Sequence, residues 1–412
     1  MATTSSPDAD LDVLADTWWY GMTRRWSRDD FEALARKRAS QGFDAVQLVA
    51  GIPPEVGPAH PQAASEVGAA WDLRGRANPA YLDLVRDRAR LLLAVGLRPI
   101  VYGGWGPQVD WVGVSAMRAW WERLAAALDG LDVIPCLCGE VDLWCDAPRR
   151  LWPEGSTDAP VARPMGTPLR RRLARRLLPG QRYRALRARR VEAWREVLRH
   201  ARLALGRPLL VHTTGAQTAF SLFGDDTDLL ANTTQTGHDL ATTALLYERP
   251  AAHHRRFAGR PFMNLEPWYE GIGEGFGPRE QLLAFWASKL GGATGHVYGA
   301  QGVWNLGDGA FLAHWGEQTL AQATALASPG ALGALHRWYR EHAIDALPPF
   351  VRRSAQGAVL GVGRGDDARA VELVFAPEPG GDPTSPLDLT GALRLPPDAP
   401  RLRLSGGLTG AP

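Results

Sequence analysis

The sequence predicts an α/β fold: a (β/α)8 TIM barrel carrying a small C-terminal all-β appendage. Short apolar or β-branched runs alternate with helical stretches that have polar faces, the pattern of a parallel sheet with crossover helices. Eight such runs fall within about 330 residues, which suits a closed barrel better than an open doubly wound sheet. No G-x-G-x-x-G and no P-loop follows the first run, so the nucleotide-binding alternative lacks its signature.

Taken in order, the first expected strand is Asp12 to Tyr20. Ser27, with Asp30 three residues on, then opens a helix that runs to Gln41 and stops at Gly42. Phe43 to Ala50 reads as the second strand, and Asn78 followed by Pro79 as the start of a helix ending near Gly96. The third strand is Arg98 to Tyr102, with its helix over Ser115 to Leu128. The fourth is Val133 to Glu140, followed by a long insertion and a helix from about Gln181 to Leu205. Pro208 to His212, Leu229 to Gln235 and Phe262 to Glu266 supply strands five to seven, the last preceding a helix over Pro278 to Leu290. His296 to Tyr298 is the eighth, with helices beyond it to about His342. Past Pro348 the runs turn short and alternating between Pro/Gly clusters, which reads as a β-rich unit. The expected organisation is a barrel over 11–345, with an Arg-rich insertion at about 147–180, and a β-rich domain over 346–412.

Composition narrows the function classes. The chain has 412 residues, 45% hydrophobic and 22% charged, as an ordinary globular protein does. A net charge of +2 gives no global reason to invoke nucleic acid or membrane. Three cysteines make no disulfide framework. The first ten residues carry no secretory pattern, and the longest apolar stretch, Leu91 to Leu97, is far short of a membrane span, so a cytoplasmic location is the expectation. Arg170 to Arg202 holds 13 arginines against Glu192 and Glu196. That run is read as the solvated outer face of a barrel helix, with nucleic-acid or anionic-lipid contact as the rival.

Barrels of this kind carry their reactive groups at the C-terminal ends of strands. Alternation of side chains puts Cys136, Cys138 and Glu140 on one face of strand four, and Phe262, Asn264 and Glu266 on one face of strand seven. Each run thus ends in a carboxylate aimed at the barrel mouth, and Pro267 holds Glu266 in extended backbone. Two facing carboxylates are what hydrolysis of a glycosidic bond needs: one protonates the leaving oxygen, and the other attacks the sugar carbon or activates water. The plainer reading of each alone is a solvated or ion-paired strand terminus.

The neighbours fit a sugar site. Of 16 tryptophans, Trp105, Trp111, Trp144, Trp268 and Trp304 fall at or just after strand ends, while Trp120, Trp121 and Trp194 read as packing between helices and sheet. His212, Gln235, His238, His296 and Tyr298 also sit near strand ends, where they can hydrogen-bond hydroxyls or serve packing. His212, His238 and His296 come from three strands, so a zinc site is an alternative. No H-x-H on the first strand and no H-E-x-x-H supports it, and no metal or cofactor is expected. Cys136, Cys138 and Cys145 read as small barrel-filling side chains before they read as metal ligands.

In this order and spacing the motifs resemble the apiosidase-like domain family, typified by glycoside hydrolase family 140, from about Asp16 to Trp304. Asp16-Thr17-Trp18-Trp19 and the run from Gly42-Phe43 to Gln47 look like the family's first two strands. Cys138-Gly139-Glu140 stands where the family commonly has Gly-Gly-Asp, and His212 where it has a histidine near strand five. Gln235-Thr236-Gly237-His238 is similar to its Gln-Ser-Gly-His, and Leu265-Glu266-Pro267-Trp268-Tyr269-Glu270 to its Gly-Glu-Pro-x-Tyr-Glu. Gly295-His296-Val297-Tyr298-Gly299, with Trp304 beyond, is similar to its last strand.

The resemblance implies a (β/α)8 glycosidase with Glu140 as the acid or acid/base and Glu266 as the nucleophile or base. It implies substrate contacts from Asp16, Trp19, Gln47 and Tyr269 beside the residues named above. Glu in place of Asp at 140 leaves Asp142 as a rival acid. Characterised members act on side chains of exported plant polysaccharide, and the lack of an export pattern here points to an imported oligosaccharide or small glycoside. The expectation is a glycoside hydrolase, exo-acting on a small carbohydrate, with no nucleic acid or membrane partner and no assignable oligomeric state. The alternative is a non-catalytic sugar-binding barrel, which an absent or blocked mouth pocket, or carboxyls aimed apart, would favour.

Overall fold

The computed structural model describes residues 11–72, 74–146, 180–225, 227–273, 276–366, 368–375 and 401–405. The expected insertion at 147–180 therefore lies outside the described residues except for its last position, as does most of the chain after 375.

The barrel is present. Strand β1 (Leu14–Thr17) lies between β2 (Ala45–Val49) and β7 (His296–Tyr298), and β3 (Arg98–Tyr102) and β4 (Ile134–Cys136) continue the sheet, all parallel. Residues 209–210 supply the next position by bridging Cys136 on one side and Leu229 on the other. Strands β5 (Asn232–Gln235) and β6 (Phe262–Glu266) pair in parallel, and the Thr294 N–H donates to the Phe262 carbonyl, carrying β6 towards β7 and closing the ring. Eight strand positions result, as the sequence predicts.

Several elements differ in extent. The first strand is four residues where nine were expected, because at Trp18 the chain turns away to bury its aromatics. The fifth shrinks to the bridge at 209–210. Helix α1 (Arg28–Ser40) begins as predicted, with the Ser27 hydroxyl accepting from the Asp30 N–H at 3.0 Å. Asn78 precedes α2 (Pro79–Ala94) without capping it; its amide donates to the Val67 carbonyl at 2.8 Å instead. Helix α3 (Gln108–Leu128) starts seven residues before the expected Ser115, across a left-handed Gly113 that only glycine adopts freely.

The helix Gly180–Leu205 packs on α3, and Trp194 reaches through to donate to the Gly106 carbonyl at 3.0 Å. Several of its arginines are paired, among them Arg187 with Asp146, Arg190 with Asp110 and Arg202 with Asp228. The described part of the C-terminal region is an antiparallel sheet, β8 (Pro349–Arg353), β9 (Val359–Gly365), β10 (Ala370–Val374) and β11 (Arg401–Ser405), in the order β11-β10-β9-β8. It packs on the helix Pro278–Gly291, where Arg364 donates to the Lys289 carbonyl at 2.9 Å. Among the described residues no helix is long and apolar enough to cross a membrane.

Candidate active site

A cavity of about 420 Å³ opens where the barrel strands end. Trp19 enters it from beyond β1, Pro54 and Glu55 from the loop after β2, and Trp105 from the loop after β3. Glu140 comes from beyond β4, Gln235 and His238 from the end of β5. Glu266 is the last residue of β6, with Tyr269 and Ile272 following it, and Trp304 and Trp315 close the wall after β7.

Glu266 is where alternation along its strand puts it. A register shift between Thr234 and Gln235 brings Gln235 level with Glu266 across the β5–β6 pair. The Gln235 amide donates to Glu266 Oε1 at 2.8 Å, and His238 Nε2 lies 3.0 Å from the same oxygen. The Tyr269 backbone N–H donates to His238 Nδ1 at 3.2 Å, so in the neutral ring the hydrogen sits on Nε2 and points at Glu266. His212 Nε2 is 3.8 Å from Glu266 Oε2. Burial pushes the His212 imidazole down to about 4, against the pull of Glu266 and Gln235, so it stands neutral beneath the site.

Glu140 reaches the cavity by another route. Strand β4 ends at Cys136, and Glu140 is left-handed, φ 47° and ψ 41°, at the head of α4 (Val141–Cys145). Strict alternation from Cys136, the basis of the sequence expectation, therefore does not aim this side chain; the left-handed turn does. Such a backbone costs a residue other than glycine. It is held by backbone bonds on both sides, the Gly106 N–H to the Gly139 carbonyl and the Val141 N–H to the His212 carbonyl. Gly139 is required by contact: a Cβ there would fall 2.2 Å from the Trp105 ring. That ring's Nε1–H donates to Glu140 Oε2 at 3.2 Å. Burial, and then the nearby Glu266, push the Glu140 carboxyl up to about 8.

Of the fifteen residues expected at the site, eight line the cavity: Trp19, Trp105, Glu140, Gln235, His238, Glu266, Tyr269 and Trp304. Seven do not, each for a visible reason. Asp16 pairs with the buried Arg38 at 2.7 Å, outside the strand ring. Tyr298 turns the same way and donates to Glu270 at 2.7 Å. Gln47 braces the floor, donating to Thr17 Oγ1 and the Leu265 carbonyl while accepting from Tyr102. Asp142 spends both oxygens on the N–H and hydroxyl of Thr214, at 2.7 Å each. His212 lies behind Trp19, its ring centroid 6.0 Å away. Trp268 is buried against Phe276.

His296 is the clearest correction. It is the first residue of β7, level with Leu14 at the start of β1, so it sits at the opposite end of the barrel and packs on Phe285. The three histidines of the zinc alternative accordingly do not converge. Among the other tryptophans considered, Trp144 lies under Arg190, 4.0 Å from its ring centre, and Trp111 is outside the lining. Cys136, Cys138 and Cys145 are buried free thiols.

Four lining residues went unforeseen: Pro54, Glu55, Ile272 and Trp315. Glu55 matters most, as a third carboxyl in the cavity that burial pushes up to about 7.

Comparison with protein families gives a match to the one described as "Apiosidase-like, catalytic domain" over residues 10–339. Comparison with curated protein sequences gives no match. Among solved structures, the chain is similar to one described as a glycoside hydrolase, with a TM-score of 0.61, 13% identity, and 90% of this chain and 85% of that chain covered. It is similar to a family 5 glycoside hydrolase from Bacteroides vulgatus, with a TM-score of 0.62, 15% identity and coverage of 88% and 75%. It is similar also to an exo-β-1,4-mannosidase from the Opitutaceae bacterium strain TAV5, with a TM-score of 0.51, 13% identity and coverage of 82% and 61%. At such identities the likeness speaks for the fold.

Proposed function

Because the chain belongs to the apiosidase-like family of catalytic domains and is a glycosidase, we propose that Glu140 and Glu266 are its catalytic pair, acting on the end of a small glycoside or oligosaccharide. The observation that carries this reading is that the two carboxyls meet one cavity in opposite surroundings. Glu140 is raised to about 8 and is protonated at neutral pH, as a general acid must be. Glu266 receives hydrogen bonds on one oxygen from Gln235 and His238, which orient the carboxyl group.

In the reaction, the Glu140 proton passes to the glycosidic oxygen as the bond from that oxygen to the anomeric carbon breaks. Glu266 either attacks that carbon or takes a proton from the water that does. Trp19, Trp105, Trp304 and Trp315 offer flat faces for the apolar sides of the ring. Asp142 is the weaker candidate for the acid, since Thr214 holds both of its oxygens. A blocked mouth or diverging carboxyls would favour the non-catalytic alternative; that Glu140 and Glu266 line one open cavity supports the catalytic reading.

The test is a panel of aryl furanosides and pyranosides offered to the wild type, Glu140→Gln and Glu266→Gln. Turnover by the wild type should fall by about 10²–10⁴-fold in both variants. Survival of turnover in either one removes that residue from the pair.

A further inference from the structure

Resting on that reading of Glu266, we propose that His212 is a positioning residue for it: from beneath the cavity, its ring N–H holds Gln235 Oε1 and so keeps the Gln235 amide turned with its own N–H towards the carboxyl.

His212 is fully buried and is no part of the cavity wall. Its Nε2 is 3.8 Å from Glu266 Oε2, beyond hydrogen-bond reach, so it does not hold the carboxyl directly. Gln235 does, with its Nε2 at 2.8 Å from Glu266 Oε1, and His212 is hydrogen-bonded to Gln235. That bond favours the protonated ring, as an oxygen acceptor does, which makes Gln235 Oε1 the partner of the imidazole N–H.

The surroundings fix both members. The irregularity between Thr234 and Gln235 sets Gln235 level with Glu266. The His212 backbone is tied on both sides, its N–H to the Cys138 carbonyl and its carbonyl to the Val141 N–H. Its ring stacks on Trp19 at 6.0 Å and meets Tyr102 and Trp105 edge-on at 5.8 and 5.9 Å, so it has no room to turn. Burial takes the imidazole down to about 4, so near neutral pH it is uncharged and has one N–H to give.

An amide has two sides, and a carboxyl can use either. Ionised Glu266 only accepts, so it needs the Gln235 N–H; protonated Glu266 can donate, and the amide oxygen would serve it. With His212 on Oε1, turning the amide would set N–H against N–H. His212 thus makes the Gln235 contact one-sided in favour of ionised Glu266, the form that attacks a sugar carbon or takes a proton from water. His238, the second donor to the same oxygen, is fixed separately by the Tyr269 backbone N–H. The other titratable groups facing Glu266 are Tyr102, Tyr269 and Glu140, and none of them changes in the variants compared.

The experiment is an NMR titration of the full chain labelled with ¹³C at the glutamate side-chain carboxyls, the Glu266 signal being the one absent from Glu266→Gln. In His212→Phe, which keeps an aromatic ring among its neighbours, and in His212→Leu, the Glu266 titration should move up by about one pH unit. Gln235→Leu should move it up at least as far, and His212→Phe added to Gln235→Leu should then add nothing, because the first residue acts through the second. With residue 212 intact, the His212 ring N–H signal should also shift in Gln235→Leu, so a His212 variant that fails to fold leaves the contact open to measurement. An unmoved Glu266 titration in the folded His212 variants overturns the proposal. So do shifts that add in full in the double variant, as a packing role predicts, or a His212 ring signal indifferent to Gln235→Leu. The titration needs no substrate, so the catalytic reading is judged separately, by turnover lost or kept in Glu140→Gln and Glu266→Gln.

Discussion

The two ends of the barrel bury the same kind of group and treat it in opposite ways. At the base, before the strands begin, Asp12 meets Lys289 at 2.8 Å and Arg340 at 3.2 Å, and Asp44 meets His336 at 2.9 Å and Arg340 at 3.1 Å. Burial alone would raise both aspartates, yet these partners outweigh it and hold them below the usual carboxylate range. At the mouth, Glu55 and Glu140 have no cationic partner, and burial takes them to about 7 and about 8. Between these two ends, a buried carboxyl loses its proton readily where a cation was folded in beside it and keeps it to higher pH where none was.

Removing a base cation should give the largest effect on stability. Lys289, one of only two lysines in the chain, has a fully buried side chain and also donates to the Thr294 carbonyl. Lys289→Met keeps much of the volume and leaves Asp12 with Arg340 alone, so unfolding should become easier by about 3 kcal/mol. Denaturant titration measures this, and a loss under about 1 kcal/mol would mean that water already reaches the pair. Turnover by the folded variant should match the wild type, because the base lies at the far end from the cavity.

Neutralising a mouth carboxyl should do the reverse. The folded-state pKa of Glu140 lies above its unfolded value, so its ionisation costs stability progressively as pH rises from about 4.5 through about 8. Asp12 and Asp44, lowered in the fold, contribute stability above their unfolded pKa and lose it as pH falls through the folded one. Glu140→Gln should therefore gain about 1–2 kcal/mol at pH 9, show little difference at pH 4, and lose activity. Thermal unfolding at the two pH values checks it, and a variant less stable than wild type at pH 9 would remove the distinction between the ends.

The same contrast explains what the sequence could and could not reveal. Glu266 was legible because it closes a regular five-residue strand, where alternation holds to the last residue. Glu140 was found through an argument that does not operate, since its direction comes from a left-handed turn that no periodicity encodes. Glu55 sits in the βα loop after Pro53-Pro54, where neither alternation nor helical period applies, and nothing local separates it from a solvated loop carboxylate. His296 was misplaced although the sequence already made it the first residue of its strand: a parallel strand faces the mouth with its C-terminal end. The alternating pattern revealed the barrel, since eight strands must each bury apolar side chains; it could not reveal the direction of side chains on the loops that build the cavity.

The smallest effect is the finest probe of the mouth. The Trp105 indole favours the charged form of Glu140 through its 3.2 Å hydrogen bond, acting against burial and Glu266. Trp105→Phe keeps an aromatic face towards the cavity and removes that donor alone. The Glu140 carboxyl should then hold its proton to higher pH. If Glu140 is the general acid, kcat/KM falls on the alkaline side as it ionises, so that limb, near pH 8 in the wild type, should move up by about one pH unit or less in the variant. The acidic limb should stay in place, because Trp105 makes no hydrogen bond to Glu266. An alkaline limb that stays put, or moves down, would mean that another group sets it and that Glu140 is not the acid the cavity was built around.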